Sequence, residues 1–389
     1  MTDRSKKVHG ALFLTFLITF ALQTTVPLFP NGSLTGAVDS NQPVELSVEN
    51  VINGSYTNYI NTLCIERLGF KAHLARTHNQ INYSLFNYVR PTNSNLINGI
   101  EGWLYEGYYL YDKIKPNWMT DSDIQSFATD FKQIQDYFHS RQAEIFIIIA
   151  PTKISVYPEY TPTHFQTRFE KNKPHLDYPK LAPVLTANNI NLIDGVKWFS
   201  QRKEENPDYL LFSRAGTHWG EFAAFEFLQY AIQQINTSPY VELADLEASG
   251  KTTQLSRGYD NDIAIMLNIL DQNAPKDMMP YPTLIKHDLD STQSPKTKIF
   301  GDSFSWIFNR YLVESNILPS LDMQYSNVCD IEYRNGSETR TPIKPLDLDQ
   351  LAQPGQLVLI VYNEAFVHNR FTGFIDKALQ QIQTPSDKN

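Results

Sequence analysis

The sequence predicts an α/β fold built on a mostly parallel sheet. Three observations carry that expectation. Continuous apolar runs of strand length stand at Glu144–Ala150 (EIFIIIA) and Gln356–Tyr362 (QLVLIVY), and such runs suit strands buried on both faces. Segments with apolar residues at steps of three and four lie between them. Strands alternating with helices imply parallel pairing, with helices covering both faces of the sheet.

The elements follow in chain order. Residues 1–10 carry Arg4, Lys6 and Lys7, and residues 11–29 carry no charge. A basic flank before an apolar run marks a signal peptide or a signal anchor, and the lack of a clear small-x-small cleavage site favours an uncleaved anchor. The run has 19 residues, including four threonines and Gln23, within the range of about 17–25 that spans a bilayer. Either form places the C-terminal bulk outside the cytoplasm. Residues 30–60 show little periodicity and read as a stalk. Residues 61–90 suggest a helix or two, closed by Pro91. The expected organisation is therefore a signal segment at 1–30, a stalk and helical segment at 31–95, and one α/β domain at 96–389.

Within that domain, Ser122–His139 places Ile124, Phe127, Phe131, Ile134 and Phe138 on one helical stripe, with Thr120 or Asp121 as its cap. Asn189–Asp194 (NINLID) and Lys298–Gly301 (KIFG) are shorter strands. Glu221–Ile235 is a helix with Phe222, Phe225, Leu228, Tyr230 and Ile232 on or near one broad face. Another helix starts near Ser305, and Phe374–Ile382 closes the chain as a helix.

Composition excludes several classes. With 389 residues, Lys+Arg 33 and Asp+Glu 42, the net charge is −9, which disfavours nucleic acid as a partner. Two cysteines exclude a disulfide-dense scaffold and a four-cysteine zinc site, and leave a Cys64–Cys329 bridge open. N-x-S/T triplets occur at Asn31, Asn53, Asn82, Asn236 and Asn335. No H-E-x-x-H, C-x-x-C or G-x-G-x-x-G occurs, and Asp260-Asn-Asp262 lacks the glycine and distal glutamate of a calcium loop, so no metal or cofactor is expected.

In parallel sheets, functional groups gather at the carboxyl ends of the strands. One such end is Gly301-Asp302-Ser303, leading into a helix. A tight strand-to-helix turn exposes a serine oxygen beside backbone N–H groups that can stabilise an oxyanion. The same triplet is equally compatible with Ser303 or Ser305 merely capping the helix. A second candidate is Gly216-Thr217-His218-Trp219-Gly220, just before the 221–235 helix. A neutral His218 there can act as general base, with Trp219 as a packing anchor or a sugar-stacking face. Further stretches are Gly102-Trp103-Leu104-Tyr105, Pro151 to Pro158 (PTKISVYP), and Val361 to Phe366 (VYNEAF).

The order and spacing of these stretches resemble the SGNH-hydrolase-like family of alginate O-acetyltransferases, the AlgX/AlgJ type, over roughly residues 60–385. That family has a G-W-L-F/Y turn, a strand ending P-x-K-x-x-x-Y-P, D-x-H-W, G-D-S, and a strand ending near N-E-x-F. The resemblance implies a three-layer α/β sandwich with Ser303 as nucleophile and His218 as general base. It implies transfer of an acetyl group through a Ser303 ester to a hydroxyl of an exported polysaccharide. It also implies a multi-pass membrane acyltransferase as acetyl donor, and an inner-membrane tether with the domain in the periplasm. Lys153, Tyr157, Trp219, Tyr311 and Glu364 are the expected substrate contacts.

One position departs from the pattern. The family carries an aspartate two residues before the histidine, and Gly216 stands there. Loss of the orienting carboxylate from a serine triad can cost about 10⁴ in turnover. Three readings stay open: another acid (Glu364, Asp194, Asp260 or Asp262) substitutes, the Ser–His pair acts as a dyad, or the protein binds glycan without catalysis. An acetyl esterase of the same fold is a further alternative. Asp302, next to the serine, is expected to serve the turn.

Overall fold

The computed structural model describes residues 3–26, 28–30, 32–35, 43–86, 88, 96–114, 118–172, 176–270, 275–289, 294–334 and 336–383. Pro91 and the triplet residues Asn31 and Asn335 lie outside these. The chain divides into two compact units, Met1–Asn98 with Ile263–Ala274, and Gly99–Asp262 with Pro275–Asn389.

The second unit holds the sheet. Its strands are β1 (Glu144–Ala150), β2 (Leu192–Asp194), β3 (Thr297–Gly301), β4 (Ser320–Tyr325), β5 (Cys329–Arg334), β6 (Ser337–Thr341) and β7 (Leu357–Asn363). They stand in the order β6-β5-β4-β3-β7-β1-β2. The five strands from β4 to β2 pair in parallel, and β5 and β6 extend the edge antiparallel. Every residue of β1 and β7 is buried, which is why both read as unbroken apolar runs.

Helices cover both faces: α1 (Gly107–Ile114), α2 (Asp121–His139), α3 (Thr163–Asn172), α4 (Asp177–Ala187), α5 (Gly195–Glu204), α6 (Glu221–Ile235), α7 (Ser305–Glu314) and α8 (Arg370–Gln383). On one face Phe127, Phe131, Ile134 and Phe138 of α2 and Leu181 and Leu185 of α4 pack with Ile145, Ile147 and Ile149 of β1 and Val358 and Ile360 of β7. On the other, Trp219 stacks between Phe199 of α5 and Phe308 of α7. Thr120 caps α2: its side chain accepts from the Asp123 N–H while the Asp123 carboxylate accepts from the Thr120 N–H, a reciprocal capping box.

Three strands, β4 to β6, were not legible as apolar runs. Their burial alternates or is slight, so they carry no continuous hydrophobic signal. The hairpin of Ala248–Leu255 and Met278–Leu284 likewise carries no continuous apolar signal, its first strand being mostly exposed.

The first unit is helical. Helices at Val48–Ile52 and Ser55–Arg67 occupy part of the expected stalk, and Lys71–Phe86 follows. The N-terminal helix spans Asp3–Thr25, and its Ser5–Thr25 stretch is long and apolar enough to cross a membrane. Both cysteines are free thiols.

Candidate active site

The strand-to-helix turn after β3 is set by its own residues. A Cβ on Gly301 would stand 2.7 Å from Ser305 Oγ and 2.9 Å from the Val361 carbonyl oxygen, so the bend can close only at glycine. The Asp302 carboxylate accepts from the Phe304 N–H (2.9 Å) and from the Asn363 N–H (2.7 Å). It thereby ties the turn to the end of β7. Burial pushes its pKa up to about 6, against those hydrogen bonds and the nearby His218. Ser305 Oγ donates to the Asp302 carbonyl. Ser303 alone points elsewhere: its Oγ lies 2.8 Å from His218 Nε2. The Ser303 N–H, at the entrance to α7, donates to no backbone acceptor among the described residues.

His218 sits on a heavily restrained loop. Gly220 N–H donates to Leu211 O (2.7 Å). Arg214 is held by Asp277 through its backbone N–H and its Nε, both at 2.6 Å. Lys153 Nζ donates to the carbonyls of Ser213 (3.1 Å), Arg214 (3.2 Å) and Gly216 (2.5 Å).

The acid comes from downstream. His218 Nδ1 lies 2.6 Å from Asp262 Oδ2, and Asp262 Oδ1 accepts from the Thr217 N–H at 2.7 Å. A carboxylate only accepts, so Nδ1 carries the imidazole proton and Nε2 is left to accept from Ser303. Burial alone would lower the imidazole pKa; the Asp262 hydrogen bond and charge, aided by Glu106 and Asp302, outweigh it and raise it.

Of the four candidate acids, the other three are committed elsewhere. Asp194 caps α5 by accepting from the Lys197 N–H. Glu364 is buried in an ion pair with Lys113 (2.6 Å) and accepts from Thr152 N–H and Oγ1. Asp260 is fully buried and accepts from the Glu221 N–H.

Gly216 leaves the room for this acid. A Cβ there would stand 2.6 Å from the Tyr259 carbonyl oxygen and 3.0 Å from Asp260 Cα. The segment that delivers Asp262 therefore packs into the space that any side chain at position 216 would need.

The five expected substrate contacts are all buried in this fold. Lys153 is buried, with all three donors used on the histidine loop and its ammonium lying near the faces of Trp103 and Tyr105. Tyr157 OH accepts from the Leu211 N–H, and its carbonyl accepts from Tyr105 OH. Trp219 is fully buried between two rings, which leaves no face for a sugar. Tyr311 is buried and its OH donates to the Glu221 carbonyl. Glu364 is closed off by Lys113. A strand-end position indicates closeness to the site but not which way a side chain turns.

Two groups near the site carried no motif of their own. Glu106 interacts with Thr217, Asp262 and His218, and burial followed by the Asp262 charge raises its carboxyl pKa. Tyr109 packs edge-on against Phe304, whose ring lies 4.8 Å from that of His218. A cavity of about 630 Å³ lies at the opposite, amino ends of β3 and β7. Its Lys298 and Lys344 are paired with Asp330 and Glu332, and it holds no nucleophile–base pair.

A serine on a strand-to-helix turn, a histidine and an aspartate on one three-layer α/β sheet define an SGNH-hydrolase-like domain. The chain belongs to the family described as "SGNH hydrolase-like domain, acetyltransferase AlgX", whose model matches residues 96–316. Among solved structures, the O-acetyltransferase domain of Pseudomonas putida AlgJ is similar at 16% identity and TM-score 0.45, over 71% of this chain and 93% of that one. Bacillus cereus PatB1 is similar at 14% and TM-score 0.47, over 71% and 97%. Pseudomonas aeruginosa AlgX is similar at 12% and TM-score 0.43, over 72% and 66%. No curated protein matches by sequence.

Proposed function

We propose that the protein is a membrane-anchored O-acetyltransferase that moves an acetyl group through a Ser303 ester onto hydroxyls of an exported polysaccharide. The observation that carries this reading is the continuous array Ser303 Oγ–His218 Nε2 (2.8 Å) and His218 Nδ1–Asp262 Oδ2 (2.6 Å). Membership of the AlgX acetyltransferase family supports acetyl as the group moved.

In the first half-reaction Ser303 Oγ attacks the acetyl carbonyl as His218 Nε2 takes its proton. Asp262 stabilises the imidazolium through Nδ1–H. The Ser303 N–H, with no backbone acceptor among the described residues, would receive the oxyanion. The donor's bond to the acetyl carbon breaks, and Nε2 returns the proton to the leaving group. In the second half, an acceptor hydroxyl attacks the ester carbon and gives its proton to Nε2. The Ser303 O–C bond breaks and Oγ regains the proton. A multi-pass acyltransferase as donor, and a periplasmic site of action, accompany this reading. The binding-only alternative was motivated by Gly216, and a carboxylate on His218 Nδ1 supports catalysis instead.

The test uses the full chain in lipid nanodiscs, a chromogenic acetyl ester and an oligosaccharide acceptor. Acetylated sugar, with an acetyl adduct on Ser303 by mass spectrometry, is expected, and both should vanish in Ser303→Ala. Acetate release indifferent to acceptor would identify an esterase. Product formation that survives in both Ser303→Ala and His218→Ala would overturn the proposal.

A further inference from the structure

We propose that Asp260 is a positioning residue for the candidate triad: it ties both flanks of the His218 loop to the segment that carries Asp262, and so fixes where Asp262 meets His218 Nδ1. The role rests on the Ser303–His218–Asp262 reading above.

Asp262 needs such a tie. Ser303 stands between β3 and α7, and His218 stands just before α6. Asp262 has no comparable support. It follows a single 3₁₀ turn, Gly258–Asn261, and opens a helix of five residues, Asp262–Met266. It is also the last residue of the larger unit before the chain leaves that unit. Yet its carboxylate must hold the imidazole at hydrogen-bond distance, and a misplacement of about 1 Å can cost 10²-fold in rate.

Asp260 supplies the tie through three groups. Upstream of His218, Ser213 Oγ donates to the Asp260 carbonyl oxygen and accepts from the Ala215 N–H (3.1 Å). Downstream of His218, the Glu221 N–H donates to Asp260 Oδ1 (3.3 Å). The Asp260 N–H donates to the Arg257 carbonyl (3.0 Å), which closes the 3₁₀ turn. The histidine loop therefore grips Asp260 from both sides of His218.

The carboxyl fills a gap that the helix entrance leaves. The first N–H groups of a helix have no partner within it. Gly220, at the cap position of α6, has no side chain to accept from them, and Asp260 brings the acceptor from another segment. Among the described residues no cation pairs with Asp260, because the neighbouring Arg310 is paired with Glu221. Asp260 is fully buried. Burial, followed by the Glu221 charge, pushes its pKa well above the usual carboxylate range, against a hydrogen bond from Tyr281. A buried carboxyl without a cation is costly, and the contacts it makes on either side of His218 give the reason for its place.

The experiment uses the full chain in nanodiscs, labelled with ¹³C-histidine. The ring signal of His218, assigned by its loss in His218→Ala, is titrated by NMR, and turnover of a chromogenic acetyl ester is measured in parallel. In Asp260→Ala the His218 midpoint should fall toward that of Asp262→Asn, since Glu106 and Asp302 stay in place. Its kcat should drop roughly a hundredfold with KM little changed. Added to Asp262→Asn, the same substitution should cost almost nothing more, because the two act through one contact. Asp260→Asn keeps the Oδ1 acceptor and should stay within a few-fold of wild type. Ser213→Ala leaves the carboxyl in place and removes one tie; it should show the same shifts on a several-fold scale, and it carries the test if Asp260→Ala does not fold. An unshifted His218 midpoint in the folded variants, an Asp260→Asn loss as large as that of Asp260→Ala, or losses that multiply with that of Asp262→Asn would overturn the proposal. The titration needs no turnover. A shifted midpoint without acetyl transfer by wild type would sink the functional reading alone, and an acetyl adduct on wild-type Ser303 with unshifted variants would sink the positioning role alone.

Discussion

Asp262 reaches His218 from 44 positions downstream, and two residue-level expectations follow from its contacts. General-base catalysis needs the neutral imidazole, and the folded pKa of His218 is raised above its usual 6.5. Ester turnover should therefore climb with pH through a midpoint above 6.5. Asp262→Asn should move that midpoint down and cut turnover by about 10⁴; an unmoved pH–rate profile would show that Asp262 does not act on the histidine. Lys153 is the second case. Burial lowers its pKa to about 7, although Asp262, Asp277 and Glu106 favour its charged form. Between that value and the usual 10.5, the unfolded chain binds the extra proton. Stability from this group is thus present above the unfolded value and lost as pH falls through about 7. Lys153→Met should remove that pH slope, leave three loop carbonyls unpaired, and lower unfolding free energy by roughly 3 kcal/mol. Urea titrations at pH 6 and pH 9 read both effects.

The element that decides the site is the segment Tyr259–Asp262, packed against Gly216. Placing an aspartate at position 216 with Gly216→Asp should not raise turnover. Its Cβ would stand 2.6 Å from a backbone oxygen, so it should lower unfolding free energy by about 2 kcal/mol and displace Asp262. A Gly216→Asp variant with wild-type melting temperature and turnover would disprove the coupling. The strands and helices around this segment were largely legible. Glu144–Ala150 is legible to the residue because burial on both faces writes an unbroken apolar run. Glu221–Ile235 is legible to the residue because its apolar stripe follows the helical period. The antiparallel edge β4–β6 was not legible, because strands with solvent on one side share composition with loops.

For the whole molecule, the expectation concerns its address. The Ser5–Thr25 helix has the length and hydropathy to cross a membrane. If it anchors the chain, the protein should stay in the membrane pellet through alkaline carbonate extraction and move to the supernatant only with detergent. Deleting residues 1–26 should release it. Release of the full chain by carbonate would argue for a cleaved or peripheral segment. The mild acidity and aromatic richness of the sequence concern the larger unit. Most of its rings are core, such as Phe131, Phe138, Trp219 and Phe308.

The sequence by itself determined the α/β class, the parallel strands, the apolar N-terminal helix, and Ser303 and His218 as the residues to watch. These are local properties: periodicity, a glycine at a tight turn, a histidine at a helix entrance. The tertiary structure decided which carboxylate lies on His218, and it buried Lys153, Tyr157, Trp219, Tyr311 and Glu364. Both outcomes depend on which way a side chain faces once distant segments pack, and on the space a glycine leaves for a neighbouring backbone. Neither quantity is written in the spacing of residues along one chain.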